Sequence, residues 1–130
     1  MKILGIGTDI VNIKRVSKAL SSSGSQFKNK VFSKIEIDYC EKKKNPSSFY
    51  AKRFAAKEAL SKALGTGFSK GVSFKNIEIS NDASGKPKIK LKGSTLSYLK
   101  KNIKNKKYNI QLALSDDKPW AQATVIISSK

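Results

Sequence analysis

One long helix constrains most strongly what this 130-residue chain can fold into. Asn45 and Pro46 form a helix start, with the asparagine as cap and the proline in the first turn. Gly65 and Gly67 end the helix. The apolar residues between these ends recur on one stripe, formed by Ala56, Ala59, Leu60, Ala63 and Leu64. A helix over about residues 46–64 with such a stripe has to pack against a second layer of structure.

The second layer is predicted to be a β-sheet, because five segments show the alternation of half-buried strands. These segments cover residues 3–11, 74–79, 89–91, 108–115 and 120–127. Turn residues at 81–87 and 116–119 join the last four strands into two hairpins.

Three shorter helices complete the prediction. They lie at residues 13–20, after the capping-box pair Ser33 and Glu36, and after residues 93–94. The order β-α-α-α-ββ-α-ββ predicts an α+β fold in a single domain over residues 1–130, with a mostly antiparallel sheet packed with helices. The segments 21–31 and 65–75 are predicted to be mobile loops.

The composition excludes several classes of function. The chain has no histidine and one cysteine, Cys40, so zinc sites and His-based catalytic triads are excluded. Cys40 is interpreted as a half-buried helix residue in a reducing compartment. No apolar run approaches the length of a membrane span, and the start of the chain is interpreted as a strand, so the predicted location is cytoplasmic.

The charge balance predicts an anionic partner. The chain has 27 basic and 9 acidic residues, for a formal charge of +18. All of the bases except Arg15 and Arg53 are lysine, as an AT-rich genome would favour, but that bias explains the shortage of acids less well. The positive field should attract nucleic acid, an anionic membrane or an acidic carrier protein.

Asp9 stands in an apolar strand, where aspartate is disfavoured. One interpretation is a cap for the helix that begins near Asn12, and the other is a chemical role. The preceding Gly5 and Gly7 indicate a bulge or a close backbone approach. They do not form a dinucleotide-binding fingerprint, because its third glycine would fall at Ile10.

Glu58 lies on the long helix one turn before Lys62. As an exposed surface pair, these two residues would contribute only about 0.3–0.5 kcal/mol. The alternative is a metal site, because Mg²⁺ is usually held by one or two carboxylates together with substrate phosphates. Asp9 would then be the second carboxylate.

Two segments carry a resemblance that decides between these alternatives. Residues 5–11 are Gly-Ile-Gly-Thr-Asp-Ile-Val, and residues 53–67 are Arg-Phe-Ala-Ala-Lys-Glu-Ala-Leu-Ser-Lys-Ala-Leu-Gly-Thr-Gly. Together with residues 14–15, 74–79, 81–82, 85–87, 114–115 and 120–123, they resemble the holo-[acyl-carrier-protein] synthases, which are 4′-phosphopantetheinyl transferases. The matching segments span nearly the whole chain in order.

The resemblance implies a reaction and a metal. Phosphopantetheine would pass from coenzyme A to a serine of an apo acyl carrier protein, with release of adenosine 3′,5′-bisphosphate. By the family pattern, Asp9 and Glu58 bind Mg²⁺ and Lys62 holds a phosphate. The serine proton would go to a metal-bound water or to Glu58, and the sequence leaves both open.

The resemblance also implies residues that bind the substrate. Lys44 and Arg53 are candidates for the 3′-phosphate. Gly65 would let the backbone approach the nucleotide, or it is a plain helix cap. The loop of Gly85, Lys86 and Pro87 would lie by the adenine, or it is an ordinary hairpin turn. Ser115 is a further possible binding residue.

The implied partners are an acidic carrier protein and further copies of the chain. Arg15 matches a family position that contacts the carrier, and Lys18, Lys28 and Lys30 would extend its basic surface. The family also implies a homotrimer with active sites between subunits. No membrane span and no specific nucleic acid are expected.

One departure from the family pattern lies in the closing hairpin. The family usually has Ser-His where this chain has Ser115 and Asp116, so no role of that imidazole carries over. An aspartate there would repel phosphate or add a carboxylate near the metal. Two rivals therefore stay open. One is an inactive family member, and the other is a basic nucleic-acid-binding protein, although the aromatic platforms typical of single-strand binders are missing.

Overall fold

The structure is a computed structural model that describes residues 1–130. It contains five α-helices, five strands and one short 3₁₀ helix. In chain order they are β1 (Ile3–Asn12), α1 (Ile13–Ser22), α2 (Ser25–Val31), α3 (Lys34–Glu41), α4 (Pro46–Leu64), the 3₁₀ helix (Phe74–Asn76), β2 (Ile77–Asn81), β3 (Pro87–Leu91), α5 (Gly93–Asn102), β4 (Tyr108–Asp117) and β5 (Trp120–Ser129).

The strands form two antiparallel sheets. One sheet has the order β1-β5-β4, and the other is the β2-β3 hairpin. In the larger sheet Asp9 lies opposite Ala123, and Ser115 lies opposite Gln122. The predicted α+β class and both predicted hairpins are confirmed, with the strands divided between two sheets rather than joined in one.

Helix α4 runs through the middle of the molecule. The larger sheet covers one side of it, while α1, α3 and β2 cover others. Its buried residues therefore lie on most of its circumference: Ser48, Tyr50, Ala51, Arg53, Ala55, Ala56, Lys57, Ala59, Leu60 and Ser61. The single apolar stripe expected from the sequence is too narrow, because it omits the polar side chains that α4 also buries.

The segment 21–31 is not the loop that its serines predict. Helix α1 continues to Ser22, and α2 begins at Ser25 and continues to Val31. Val31 is buried, and the Phe27 ring packs against Phe54 with centroids 6.0 Å apart. These tertiary contacts order the segment. In the other predicted loop, 65–75, residues 65–73 have no helix or strand, whereas residues 74–76 form the 3₁₀ helix, so the strand expected from residue 74 begins only at Ile77.

Two features concern location and reactivity. No helix of the structure has the length and apolar character that crossing a membrane requires. Cys40 is fully buried on α3. Burial raises the pKa of its thiol to about 11. Cys40 is therefore a core residue and more deeply buried than expected.

Candidate active site

Two glycines bring β1 into direct contact with α4. A Cβ atom on Gly5 would overlap the carbonyl oxygen of Ala63, and one on Gly7 would overlap that of Ala59. Neither glycine has a positive φ, so what they provide is space rather than an unusual backbone conformation. The close approach predicted from these glycines is confirmed, and a bulge is also present between Ile3 and Gly5.

Asp9 follows the two glycines on the same face of β1, because alternate residues of a strand share a face. Its side chain, which is 17% exposed, therefore points toward α4. It does not cap α1, since the Asn12 side chain accepts the hydrogen bond from the Lys14 amide and performs that role. The capping interpretation of Asp9 is wrong.

Lys62 reaches across from α4 to Asp9. Its Nζ lies 3.0 Å from Asp9 Oδ1 and also donates to the carbonyl oxygen of Thr8. The Lys62 side chain is 53% exposed, so this ion pair contributes little stability and can exchange for another anion. The pair expected between Glu58 and Lys62 is absent, because Lys62 is drawn to the neighbouring strand.

Glu58 lies half-buried beside this pair and has no cation of its own. None of the six ion pairs of the chain involves it. Burial raises the pKa of the Glu58 carboxyl, and the negative charge of Asp9 raises it further, while Lys62 opposes both effects. Two carboxylates on different elements thus influence one another, and Lys62, which is paired with Asp9, is the cation that acts on both.

This arrangement fits a divalent cation. A cation would stabilise the ionised form of Glu58, which burial and the charge of Asp9 disfavour. The two oxygen donors match the small number of protein ligands typical of Mg²⁺ sites that bind substrate phosphates. No group of three or more acidic or cysteine residues capable of holding a metal occurs in the chain.

Arg53 is placed differently from the expectation. It is only 2% exposed, and its guanidinium carbon lies 4.1 Å from the centre of the Tyr39 ring. Its Nη2 donates to Asn81 Oδ1 at 2.7 Å, and Asn81 in turn donates to the carbonyl oxygen of Gly85. A direct contact between Arg53 and a phosphate is therefore not supported by this geometry, and its visible role is to position the β2-β3 turn.

The β2-β3 turn is held by Asp82. Its Oδ1 accepts hydrogen bonds from the Ser84 hydroxyl and from the backbone amides of Ser84 and Lys86. Gly85 has a φ of 91°, which glycine adopts without strain. Lys86 and Pro87 line a cleft of about 470 Å³ between β3 and the residues 108–111 of β4. The predicted nucleotide loop is thus both an ordered turn and one wall of a cleft.

Two further predicted binding residues lie near the ends of α4. Lys44 is exposed just before the helix begins. Gly65 caps the other end in the left-handed conformation, and its amide donates to the carbonyl oxygens of Lys62 and Ser61. The capping interpretation of Gly65 is confirmed, and contact with a nucleotide stays a prediction.

Ser115 lies on the opposite face of the larger sheet from Asp9. The register places its side chain on the face of Thr8 and Gln122, which points away from α4. Its hydroxyl donates to Gln122 Oε1 at 3.3 Å, and Gln122 Nε2 donates to Thr8 Oγ1 at 2.9 Å. Within one chain, therefore, Ser115 does not join Asp9 and Glu58.

Asp116 stands where the resemblance leads one to expect histidine, and it has a partner. Its Oδ1 lies 3.0 Å from Lys52 Nζ on α4, with both side chains at least half-buried. The lysine offsets the negative charge that would otherwise repel a phosphate. Sequence reasoning missed this pair, because nothing in the spacing of the two residues indicates a contact.

A buried pair next to Glu58 was also missed. Lys57 and Glu36 are both 0% exposed, and Lys57 Nζ donates to Glu36 Oε1 at 2.8 Å. Lys57 also donates to the carbonyl oxygens of Phe74 and Ile77, and Glu36 accepts from the amide of Ile79. The sequence holds one signal of this burial. Lys57 lies four residues after Arg53 and three residues before Leu60, so all three share one face of the helix.

The expected basic surface for a carrier protein is only partly free. Arg15, Lys18 and Lys30 are exposed. Lys28 is not free, because its Nζ pairs with Glu41 at 3.2 Å. The surface is therefore narrower than predicted and centres on α1.

Known proteins resemble this chain over its whole length. A holo-[acyl-carrier-protein] synthase of Aliivibrio fischeri is 48% identical over 99% of this chain and 100% of its own. One from Pelagibacter ubique is 45% identical and covers 100% of both.

Solved structures agree with these relatives. The crystal structure of a holo-[acyl-carrier-protein] synthase from Neisseria meningitidis superimposes with a TM-score of 0.86 at 35% identity, over 98% of this chain and 99% of that one. A Helicobacter pylori enzyme in complex with coenzyme A gives a TM-score of 0.81 at 36% identity, over 95% of this chain and 99% of that one.

The family model described as the 4′-phosphopantetheinyl transferase superfamily matches residues 5–120. That range includes the part of β1 that carries Asp9, the whole of α4 with Glu58 and Lys62, and the β2-β3 turn. The chain therefore belongs to the 4′-phosphopantetheinyl transferase superfamily.

Proposed function

We propose that this protein transfers the 4′-phosphopantetheine group of coenzyme A to a serine hydroxyl of an apo acyl carrier protein, with Mg²⁺ as cofactor. The observation that supports this most directly is the meeting of Asp9, Glu58 and Lys62 where β1 touches α4. The likeness to relatives that carry the name holo-[acyl-carrier-protein] synthase supports the same activity.

The bonds that change are at one phosphorus of the coenzyme A diphosphate. The serine oxygen forms a bond to the phosphorus that carries pantetheine, and the bond from that phosphorus to the bridging oxygen breaks. Adenosine 3′,5′-bisphosphate leaves with the bridging oxygen. The serine proton passes to a base, for which Glu58 is the candidate side chain in this site.

Asp9 and Glu58 would hold Mg²⁺, which supplies charge neutralisation and Lewis-acid activation of the diphosphate when it is bound. Lys62 would turn from Asp9 toward a phosphate, where its ammonium acts as a point charge. The long reach and partial exposure of Lys62 support this exchange of partners.

The nucleotide end of coenzyme A would occupy the side of the molecule formed by the β2-β3 turn. Lys44 and Lys86 would contact phosphate, and Gly85 and Pro87 would pack beside the adenine. The cleft behind Lys86 supports this arrangement. Arg53 would act indirectly, since its hydrogen bond to Asn81 holds the turn in place.

The acyl carrier protein would approach helix α1. Arg15 and Lys18 are exposed there, and the chain as a whole has a charge of +18. Carrier proteins are acidic, so complementary charge would speed the encounter and weaken it as salt rises.

Transfer of phosphopantetheine is tested by mass spectrometry of an apo carrier protein incubated with coenzyme A and Mg²⁺. The wild-type protein should add one phosphopantetheine group to the carrier serine. Asp9→Asn and Glu58→Gln should each slow transfer by at least roughly a hundredfold, because metal stabilisation amounts to several kcal/mol and each ~1.4 kcal/mol is a factor of ten.

The matched control is Asp38→Asn, which removes an exposed carboxylate on α3 and should leave the rate unchanged. Circular dichroism verifies that each variant is folded. If the wild-type protein leaves the carrier unmodified, the proposed reaction is wrong. If either site variant is fully active, the metal assignment is wrong.

We further propose that the active protein is a homotrimer, which would bring Ser115 of one copy toward the site of another. The supporting observation is an apolar patch on the sheet face that α4 leaves uncovered. Ile6 is 66% exposed on this face and Ile10 is 61% exposed. Large apolar side chains exposed together on one sheet face are typical of a surface that another protein covers.

The trimer predicts that Ile6→Asp and Ile10→Asp dissociate the assembly. Burying a charge on the shared face is costly, so either variant should shift the mass in solution from three chains to one. Multi-angle light scattering measures this mass. Ile35→Asp is the control, because Ile35 is 58% exposed on α3, away from this face. A monomeric wild-type protein would refute the proposal.

A further inference from the structure

A lysine-lined cleft lies at the end of the larger sheet that is remote from Asp9. It has a volume of about 580 Å³ and lies between the end of α5, the following loop and the outer ends of β1 and β5. Its lysines are Lys2, Lys104, Lys106, Lys107 and Lys130. From Leu4, on its wall, to Asp9 is five strand residues, or roughly 17 Å.

The lysines of this cleft have no acidic partners. No acidic side chain lines it, and none of its five lysines forms any of the ion pairs of the chain. Lysine is common throughout this sequence, but five ammonium groups around one concavity repel one another unless an anion is present. The cleft therefore favours an anionic ligand.

The cleft adjoins a mostly apolar recess. Leu4, Asn102 and Ile103 line both the cleft and an adjoining recess of about 180 Å³. The other residues of the recess are all apolar: Ala63, Leu64, Leu99 and Ile127. Leu4 is the extra residue of the bulge in β1, between the pairs made by Ile3 and Gly5. Bulges commonly redirect a side chain in this way.

The loop that carries three of the lysines is held in place. The Asn105 amide donates to the carbonyl oxygen of Lys100 at 2.8 Å, and the Lys130 amide donates to that of Lys107 at 3.0 Å. Lys104 and Asn105 have φ values of 54° and 59°, a left-handed conformation that asparagine tolerates but lysine rarely adopts. A defined loop that retains this strain points to a preformed site.

We propose that the cleft binds an anionic amphiphile, a single acyl chain with a phosphate or carboxylate head group. The head group would lie among the lysines, and the start of the chain would enter the recess beside Leu4 and Ile103. This site shares no residue with the proposed transferase site, so it stands independently of the proposed reaction.

Calorimetric titration of the full chain with dodecyl phosphate below its micelle concentration tests the proposal. We expect one molecule to bind per chain, at least roughly a hundredfold more tightly than inorganic phosphate, because the acyl chain adds apolar burial. Neutral dodecyl maltoside should bind at least about tenfold more weakly than dodecyl phosphate, because it lacks the charge.

Variants separate the two parts of the site. Lys106→Gln with Lys107→Gln should weaken dodecyl phosphate binding about tenfold. The control Lys42→Gln with Lys75→Gln removes two exposed charges elsewhere and should have little effect. Leu4→Gln should weaken dodecyl phosphate but not inorganic phosphate. Asp9→Asn should leave the affinity unchanged, which distinguishes this site from the transferase site.

Three results would overturn the proposal. The first is equal affinity for inorganic phosphate and dodecyl phosphate. The second is an equal effect of the two lysine pairs. The third is binding only to vesicles of anionic phospholipid, which would indicate a membrane-surface contact in place of a site for one molecule.

Discussion

Gly7→Ala should destabilise this protein by about 3 kcal/mol or more, at or above the upper end of the usual range for overpacking. The new Cβ would overlap the carbonyl oxygen of Ala59 and lie 2.7 Å from the amide nitrogen of Ala63. Both are backbone atoms of α4, so no side-chain rotation relieves the overlap. The strand and the helix would have to move apart.

Thermal unfolding measures this effect, and the melting temperature should fall by about 10 °C or more. Gly65→Ala is the comparison, because a Cβ there meets no atom within 4 Å and suffers only from the left-handed conformation, with φ 77° and ψ 13°. Equal destabilisation by the two changes would contradict the packing argument. Gly7→Ala should also lower transfer in any fraction that folds, since it displaces Asp9 from Glu58.

Lys57→Met should cost about 3–5 kcal/mol of unfolding free energy, the usual range for removing one partner of a buried ion pair. The change would leave the Glu36 carboxylate in the core without its cation. It would also leave the carbonyl oxygens of Phe74 and Ile77 without the donor they share. Burial lowers the pKa of Lys57, and the charge of Glu36 opposes this effect.

Denaturant unfolding of a double-mutant cycle tests this coupling. Glu36→Gln in the Lys57→Met background should recover part of the loss, because the uncompensated charge disappears. Lys34→Gln is the control, since its pair with Asp38 is largely exposed and should contribute almost nothing. A Lys57→Met protein as stable as the wild type would show that the buried pair is not needed.

The sequence was most informative where a pattern is local. The ends of α4, the two hairpins and the Ser33–Glu36 capping box all follow from spacing, and the structure contains each of them, although Asn45 makes no side-chain capping hydrogen bond. What Glu36 does beyond the cap was not predictable. Its second oxygen accepts from the amide of Ile79, which is 43 residues away and meets it only after β2 packs on α3.

The predictions that failed have the same physical cause, which is contact between residues that are far apart in the sequence. The serines at 21–25 predict a loop, but Phe27 and Val31 gain enough from core contacts to order α2. Arg53 was expected to be free, but it packs on the Tyr39 ring and donates to Asn81, while its contact with a phosphate stays a prediction. The alternation of β4 predicts that Ser115 and Asp116 point to opposite faces of the sheet. It does not predict which of these faces α4 covers.

The adjacency of Lys57 and Glu58 has a consequence for any change in the length of α4. Successive residues of a helix are rotated by about 100°, so one faces the α3-β2 side while the next faces β1. A one-residue deletion between Pro46 and Lys57 would turn both side chains away from their partners at once. An insertion or deletion in this part of α4 should therefore disrupt the buried Lys57–Glu36 pair and displace Glu58 from Asp9 in one step.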